Sequence, residues 1–310
     1  MKISELAEKL DYDIVGNSEF NITGITYPDE AQSNQIAVAK NRNEVNRTQA
    51  NVVLTNPRLL KTEKTMLITW DDIDCAMVKV CAALIENGEL PDYSAPIQYK
   101  KNDSGIYIGH DVSIDISSYV APNVMIGDNV VIGKNCIIQT NVIIGSGTVI
   151  FDGVHIDSGT KVGADSFYHL YDKKMTHFVG VGQTVISEGV HIGCNSIVQR
   201  GTISNTFIGE NSMIGNCVDI GHDVKIGENC KIVSQSGIAG NVVIKNNVII
   251  YGQAGIANDV TIGNNVTVKA KTLVSKSIEN NQVVCGLYGR NNYDEIKLQA
   301  KIRRFFNRKD

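Results

Sequence analysis

Residues 208–232 read IGENSMIGNCVDIGHDVKIGENCKI, and in them Ile208, Ile214, Ile220, Ile226 and Ile232 stand six residues apart. The series continues unbroken through Ile238, Ile244, Ile250, Ile256, Ile262 and Val268 to Val274. An earlier series of the same period runs from Ile108 to Val162, restarts at Ile186, Ile192 and Val198, and slips register near Ile203. A helix would repeat near 3.6 residues and a strand near 2, so neither explains the spacing. Two residues before most of these positions lies a second small or branched residue, as at Val124, Val130, Cys136, Val142, Thr148 and Val154. A glycine often follows directly, as at Gly127, Gly133, Gly145, Gly163, Gly209, Gly215, Gly227 and Gly263. Two inward positions and a Gly or Asn corner describe one short strand on one side of a prism, with corner residues that tolerate positive φ. Three sides make a coil of about 18 residues, and stacked coils bury a continuous aliphatic column. The expected fold is mainly β, a parallel β-helix of hexapeptide repeats.

The flanks lack the period. Residues 1–100 predict a small α/β domain, with helices at Ile3–Leu10 and Ile73–Glu86 and apolar runs at Asn51–Leu54 and Met66–Trp70. Leu90–Asp103 is polar, contains Pro91 and Pro96, and reads as a linker. The repeat then occupies residues 101–275, with an inserted loop at 163–185, and residues 276–310 form a C-terminal extension. Within that extension Asp294–Asn307 predicts a short helix with a basic end at Lys301, Arg303, Arg304, Arg308 and Lys309. The inserted loop gathers Phe167, Tyr168, Tyr171 and Phe178 with His169, His177, Lys173 and Lys174, although only 6% of the chain is aromatic. Long insertions in repeat arrays project from one face and often carry function.

Bulk properties narrow the class. A net charge of −4 offers no global basic field for nucleic acid. No stretch approaches the roughly 20 apolar residues of a membrane-spanning helix, and the amphipathic start MKISELAEKL does not read as a signal peptide. Seven cysteines, odd in number and without a CxxC pair, suit reduced thiols. These features predict a cytoplasmic protein without integral membrane association.

One histidine stands out. His222 follows inward Ile220 by two positions, so the repeat points it away from the column. The pentapeptide Ile220–Val224 also occurs at Ile108–Val112, so IGHD alone decides nothing. What distinguishes His222 is Gly240, one coil further on, whose backbone N–H should lie beside the imidazole. A general base next to an unshielded donor is the minimum set for attack of an amine on a thioester. His222 is therefore the expected base and Gly240 the expected oxyanion donor; no nucleophilic cysteine is needed.

The repeat resembles the left-handed β-helix of hexapeptide acyltransferases, and the hand is implied by that resemblance. Carbonic anhydrases on the same prism hold zinc with three histidines, two of them five residues apart. None of the six histidines here has that spacing, so no metal site is expected. The order of α/β domain, prism, loop, IGHDVKIGENC, GIAGNVVI, GQAGIANDVTIG and basic tail resembles the UDP-3-O-acylglucosamine N-acyltransferase family over nearly the whole chain. The resemblance is strongest from Val190 to Val274. It supports His222 as base and Gly240 as donor, and it adds substrate-binding roles for Arg200, Asp165 and Phe167 from the family's TIDRG and SDGFG segments. A second family histidine, one coil beyond the glycine, falls on Asp259. The family's uracil-holding segment matches Ala37–Glu44, which includes Asn41 as a further candidate.

Departures accompany the match. TIDRG becomes Ile197–Gly201 with Gln199 in place of the acid, and the two uracil aromatics are replaced by Val38 and Glu44. The helical tail is shorter than the family's carrier-protein docking region. The resemblance thus implies a homotrimeric N-acyltransferase acting on a nucleotide-linked amino sugar, with acyl-CoA favoured over acyl carrier protein as cosubstrate and no permanently bound cofactor. Two alternatives stay open: the family's own lipid A reaction, and a non-enzymatic sugar-nucleotide-binding or scaffold prism.

Overall fold

The computed structural model describes residues 1–59, 63–172, 174–286 and 292–306. From Tyr107 the chain winds as a prism of two-residue strands on three parallel faces. Face one runs from Lys100–Lys101 and Tyr107–Ile108 through Asp219–Ile220 to Leu273–Val274. Face two runs from Ser113–Ile114 through Lys225–Ile226 to Thr261–Ile262. Face three runs from Tyr119–Val120 through His155–Ile156 and His191–Ile192 to Val283–Val284. The register is that of the sequence period: Met125 pairs with Ile143, eighteen positions on, and Lys225 with Val243. Both predicted inward positions are buried, Val124 with Ile126, Val130 with Ile132 and Cys136 with Ile138. Each such aliphatic side chain removed from water stabilises the column by about 1.5–3 kcal/mol. Burial also raises the thiol pKa of Cys136 and Cys230, whose Sγ atoms donate to the Phe151 and Lys245 carbonyls.

The corners differ from the expectation in one respect. The positive φ falls on residues such as Asn129 (57°), Asn135 (53°) and Asn229 (55°), two positions after the glycines that follow the inward isoleucine. Gly163 aside, those glycines are required by proximity: a Cβ on Gly127 would stand 2.5 Å from the Ser146 backbone nitrogen of the next coil. Asparagine takes the left-handed corner, and glycine lets the coils approach.

Two insertions break the period. Lys161 pairs with Ile197, and His155 with His191, thirty-six positions apart, so one whole coil length has been looped out between them. The extruded segment folds as an antiparallel hairpin, His169–Asp172 against Lys174–His177. Lys173 lies outside the described residues. Next, Ile197 pairs with Asp219, a spacing of 22, so four extra residues bulge near Ile203 and account for the slip in the sequence period.

The N-terminal domain is a five-stranded sheet in the order Asp13–Val15, Thr65–Ile68, Val52–Thr55, Gln35–Val38, Gly24–Thr26, parallel except for its first pair. Helices α1 (Ile3–Leu10), α2 (Arg42–Arg47) and α3 (Ile73–Glu86) accompany it. Asp72 caps α3 by accepting from the Asp74 and Cys75 N–H groups, which fixes the start of that helix. One apolar core joins Leu6, Leu54, Val80 and Leu84 of this domain to Phe178, Val181 and Ile203 from the two insertions. The domain is thereby seated on the prism where both insertions emerge. Helix α4 (Asn292–Phe306) carries Lys301, Arg303 and Arg304; Arg308 and Lys309 lie outside the described residues. Among the described residues no helix is long and apolar enough to cross a membrane.

Candidate functional site

The corner after Ile220 is where the two insertions and the N-terminal domain converge. His222 points away from the aliphatic column, as expected, yet it is only 6% exposed. The ring of Tyr168, from the hairpin, stands edge-on to it at 5.4 Å and 89°. The imidazole thus faces outward from the column and is covered by the hairpin. The Tyr168 phenol lies near the Asp74 carboxylate in the first turn of α3, and Lys40 pairs with Asp74 at 2.8 Å. Burial first, and then the Asp74 carboxylate, hold the Tyr168 phenol well above its usual pKa, so it stays protonated. Burial does the same to Tyr27, whose hydroxyl lies 3.2 Å from that of Thr202.

Asp223 orients the base. Its Oδ2 lies 2.8 Å from His222 Nδ1 and takes the Thr202 hydroxyl at 2.5 Å. Its Oδ1 accepts the Thr202 and Ser204 backbone N–H groups at 2.9 and 3.1 Å. Those two donors belong to the four-residue bulge, so the bulge exists to hold this buried carboxylate. A carboxylate only accepts, so Nδ1 must carry the proton and Nε2 is left as the basic nitrogen. Sequence reasoning quoted Asp223 inside the motif but gave it no role, because its partners lie in an aperiodic segment.

Gly240 occupies the place predicted for it. A Cβ built there would meet His222 Nε2 at 2.5 Å, so the imidazole lies directly over the glycine. At some corners the backbone N–H is held by a side chain one coil on, as Glu228 is by Asn246 and Cys194 by Asn216. The Gly240 N–H has no hydrogen-bond partner among the described residues. Base and free donor are thus adjacent. Below them on face one, Gly237 and Gly255 pair in register and leave a shallow trough bounded by Asp219, Ala257 and Leu273.

The remaining candidates are scattered. Arg200 is 3% exposed and turned inward: it donates to the Ser146 and Gly163 carbonyls at 3.2 and 3.3 Å and stacks on Tyr93 of the linker at 4.0 Å. Burial lowers its pKa, and Asp165, 3.8 Å away, opposes that shift. This geometry makes Arg200 a tie between coils and linker rather than a group open to substrate. Phe167 is 79% exposed on the hairpin, with its N–H held by Gln199 at 3.0 Å. Asp259 is exposed, but the register corrects its match. Its N–H bonds the Gly240 carbonyl at 3.3 Å, just as Asn241 bonds His222, so Asn258 is the residue stacked beneath Gly240. Asn41 caps α2 by accepting from the Glu44 N–H, and its amide also reaches the Glu44 carboxylate at 2.5 Å. Val38 is buried in its strand.

A further cluster was missed. On face three His155, Asp157 and His191 present ligand atoms all within 4.8 Å of one another. The expectation of no metal site rested on spacing within one turn, whereas these histidines meet across a coil boundary.

The repeat also matches known proteins. A family model described as bacterial transferase hexapeptide (six repeats) matches residues 105–140 and 205–240. The UDP-3-O-acylglucosamine N-acyltransferase of Sinorhizobium fredii is 43% identical over 82 residues, 26% of this chain and 23% of that protein. The enzyme of that name from Campylobacter curvus is 30% identical over 149 residues, 47% of each chain. The chain thus matches about half or less of the length of these curated relatives. The crystal structure of Francisella novicida UDP-N-acetylglucosamine acyltransferase aligns with a TM-score of 0.55 and 27% identity, over 63% of this chain and 72% of that one.

Proposed function

We propose that this chain, which belongs to the left-handed β-helix family of hexapeptide-repeat acyltransferases, moves an acyl group from a thioester to the amino group of a nucleotide-linked amino sugar. The observation that carries the reading is the His222 imidazole, oriented by Asp223 and lying on Gly240, whose N–H has no hydrogen-bond partner among the described residues. In the reaction the amine nitrogen attacks the thioester carbonyl carbon while Nε2 of His222 takes its proton. The oxyanion forms against the Gly240 N–H, and the C–S bond then breaks as the thiolate leaves and takes the proton back from the imidazolium. The glycine trough on face one provides an apolar path for the acyl chain next to that donor.

The acceptor that fits this reading is the UDP-linked 3-O-acylated glucosamine for which the curated relatives are named, and the coils that carry His222 and Gly240 lie in one of the two stretches matched by the hexapeptide family model. This displaces acyl-CoA as the favoured donor, since nothing in those similarities points to CoA. One observation supports a second reading with a different nucleotide. Val38 is buried and Glu44 is engaged with Asn41, so neither position offers a stacking platform, which for a base is worth about 1–3 kcal/mol. Exposed apolar residues on the outer faces, Tyr119, Val131, Ile137 and Met213, support the homotrimer expected of the fold. The test is turnover with a 3-hydroxyacyl carrier protein and with the same acyl group on CoA, each against UDP-3-O-acylglucosamine and against other nucleotide-linked amino sugars. Turnover confined to carrier protein and the UDP substrate selects the adopted reading. Turnover with another nucleotide sugar selects the second, and none with any pair refutes both.

A further inference from the structure

Face three carries a ligand set unrelated to the His222 corner, which lies between faces one and two. His155 and His191 are in direct register on adjacent strands, and their rings stack at 4.6 Å with planes 12° apart. Alternation along the strand turns His155 and Asp157 to the same outer side of Ile156. The Asp157 N–H is fixed by the Ile192 carbonyl, so its carboxylate sits beside both rings. His191 Nε2 lies 3.0 Å from Asp157 Oδ2, and His155 Nε2 lies 3.3 Å from Asp157 Oδ1. His155 Nε2 is also shielded from solvent and makes no well-formed hydrogen bond. The contact with Asp157 is close enough for an ion pair but poorly aligned for a hydrogen bond, so a buried ring nitrogen is left unsatisfied.

We propose that His155, Asp157 and His191 bind a divalent transition metal ion of the zinc class. Zinc bonds to imidazole nitrogen and carboxylate oxygen are about 2.0–2.2 Å, which in a tetrahedron separates ligand atoms by about 3.3–3.5 Å. The three ligand atoms lie within 4.8 Å of one another, and the nearest imidazole–carboxylate separations, 3.0 Å to Oδ2 and 3.3 Å to Oδ1, are close to that spacing, so a modest inward turn of the side chains completes the set. Two imidazoles and one carboxylate select zinc, cobalt or nickel over the oxygen-preferring magnesium and calcium. Coordination gives the His155 nitrogen the partner it lacks, and a small turn of each ring about χ2 makes the lone pairs converge. The ladder fixes the backbones beforehand, so binding orders little beyond the side chains. Three protein ligands on an outer face leave at least one coordination position open to water or to an incoming group.

The decisive experiment uses the full-length, tag-free protein after dialysis against a chelator. It is titrated with zinc by calorimetry and with cobalt(II) by visible absorption. One equivalent of metal per chain and the intense visible bands of a four- or five-coordinate cobalt centre are expected. His191→Ala and Asp157→Asn should abolish the stoichiometric uptake, and His110→Ala, at an exposed corner, should leave it intact. Zinc should also raise the thermal midpoint of the wild-type protein and not that of His191→Ala, which separates binding from misfolding. No stoichiometric uptake by the wild type, or equal uptake by His191→Ala and Asp157→Asn, overturns the proposal.

Discussion

The pentapeptide IGHDV occurs twice, at Ile108–Val112 and Ile220–Val224, with the same backbone and opposite surroundings. Asp111 and Asp223 both turn the corner at positive φ, 51° and 59°. At the first corner His110 is exposed, and the residue one coil on is Asp128, whose carboxylate takes the His110 N–H at 2.6 Å. At the second corner the residue one coil on is Gly240, so the imidazole settles against bare backbone. The two coils before His222 carry the two insertions, which supply Tyr168 as a cover and the Thr202 and Ser204 donors to Asp223. Identical local sequence thus yields an idle corner or a charged, oriented dyad, depending on what is stacked above and below. In a solenoid the unit of chemistry is the column through several coils.

The comparison can be broken most forcefully at the histidines. His222→Ala should reduce acyl transfer by about 10²–10⁴-fold, the usual loss on removing a general base. His110→Ala should leave steady-state rates unchanged, and equal losses would erase the distinction. Next, Gly240→Ala puts a methyl group 2.5 Å from Nε2 and forces the ring away from the donor. A loss of about 10²–10³-fold in kcat, typical of a disabled oxyanion donor, is expected with native circular dichroism. Asp128→Ala, its counterpart, should keep full activity.

Asp223→Asn sharpens the comparison at the next level. The amide retains shape but turns an NH2 group toward donors, so at least one buried hydrogen bond is lost. Chemical denaturation should report about 1–3 kcal/mol of lost stability, against no measurable change for exposed Asp111→Asn. The smallest effect belongs to Tyr168→Phe, which keeps the edge-on ring and removes only the hydroxyl near Asp74. Loss of one polar contact of about 1 kcal/mol corresponds to roughly a fivefold change in kcat/KM. A loss as large as that of His222→Ala would make the phenol part of the proton path.

The prism was legible because its inward residues recur at a fixed interval and its strands pair at that same interval, as the Met125–Ile143 register illustrates. Gly240 could be placed next to His222 by counting one coil. Counting failed wherever the interval was broken or the corner geometry mattered. The 36-residue step hid the meeting of His155 with His191, and a one-residue miscount assigned Asp259 the place held by Asn258. The motif that suggested a substrate-binding Arg200 gives no burial, whereas the side chain is buried and one guanidinium nitrogen is held by the Ser146 and Gly163 carbonyls. The roles of Tyr168 and Asp74 depend on contact between segments nearly a hundred residues apart, which no local pattern encodes.

The apolar core that joins Leu6, Val80 and Leu84 to Phe178, Val181 and Ile203 has a consequence for how the chain is made. A ribosome delivers the N-terminal sheet and its helices first, but the side chains that close that core emerge only when Ile203 has left the exit tunnel. At bacterial and eukaryotic elongation rates the interval is on the order of ten seconds, during which an apolar surface waits uncovered. The early coils of the prism assemble in that interval, one after another, and lead the growing chain back to the domain that began it. The first hundred residues released alone would keep that surface open and clump, whereas a chain that continues past Ile203 would not.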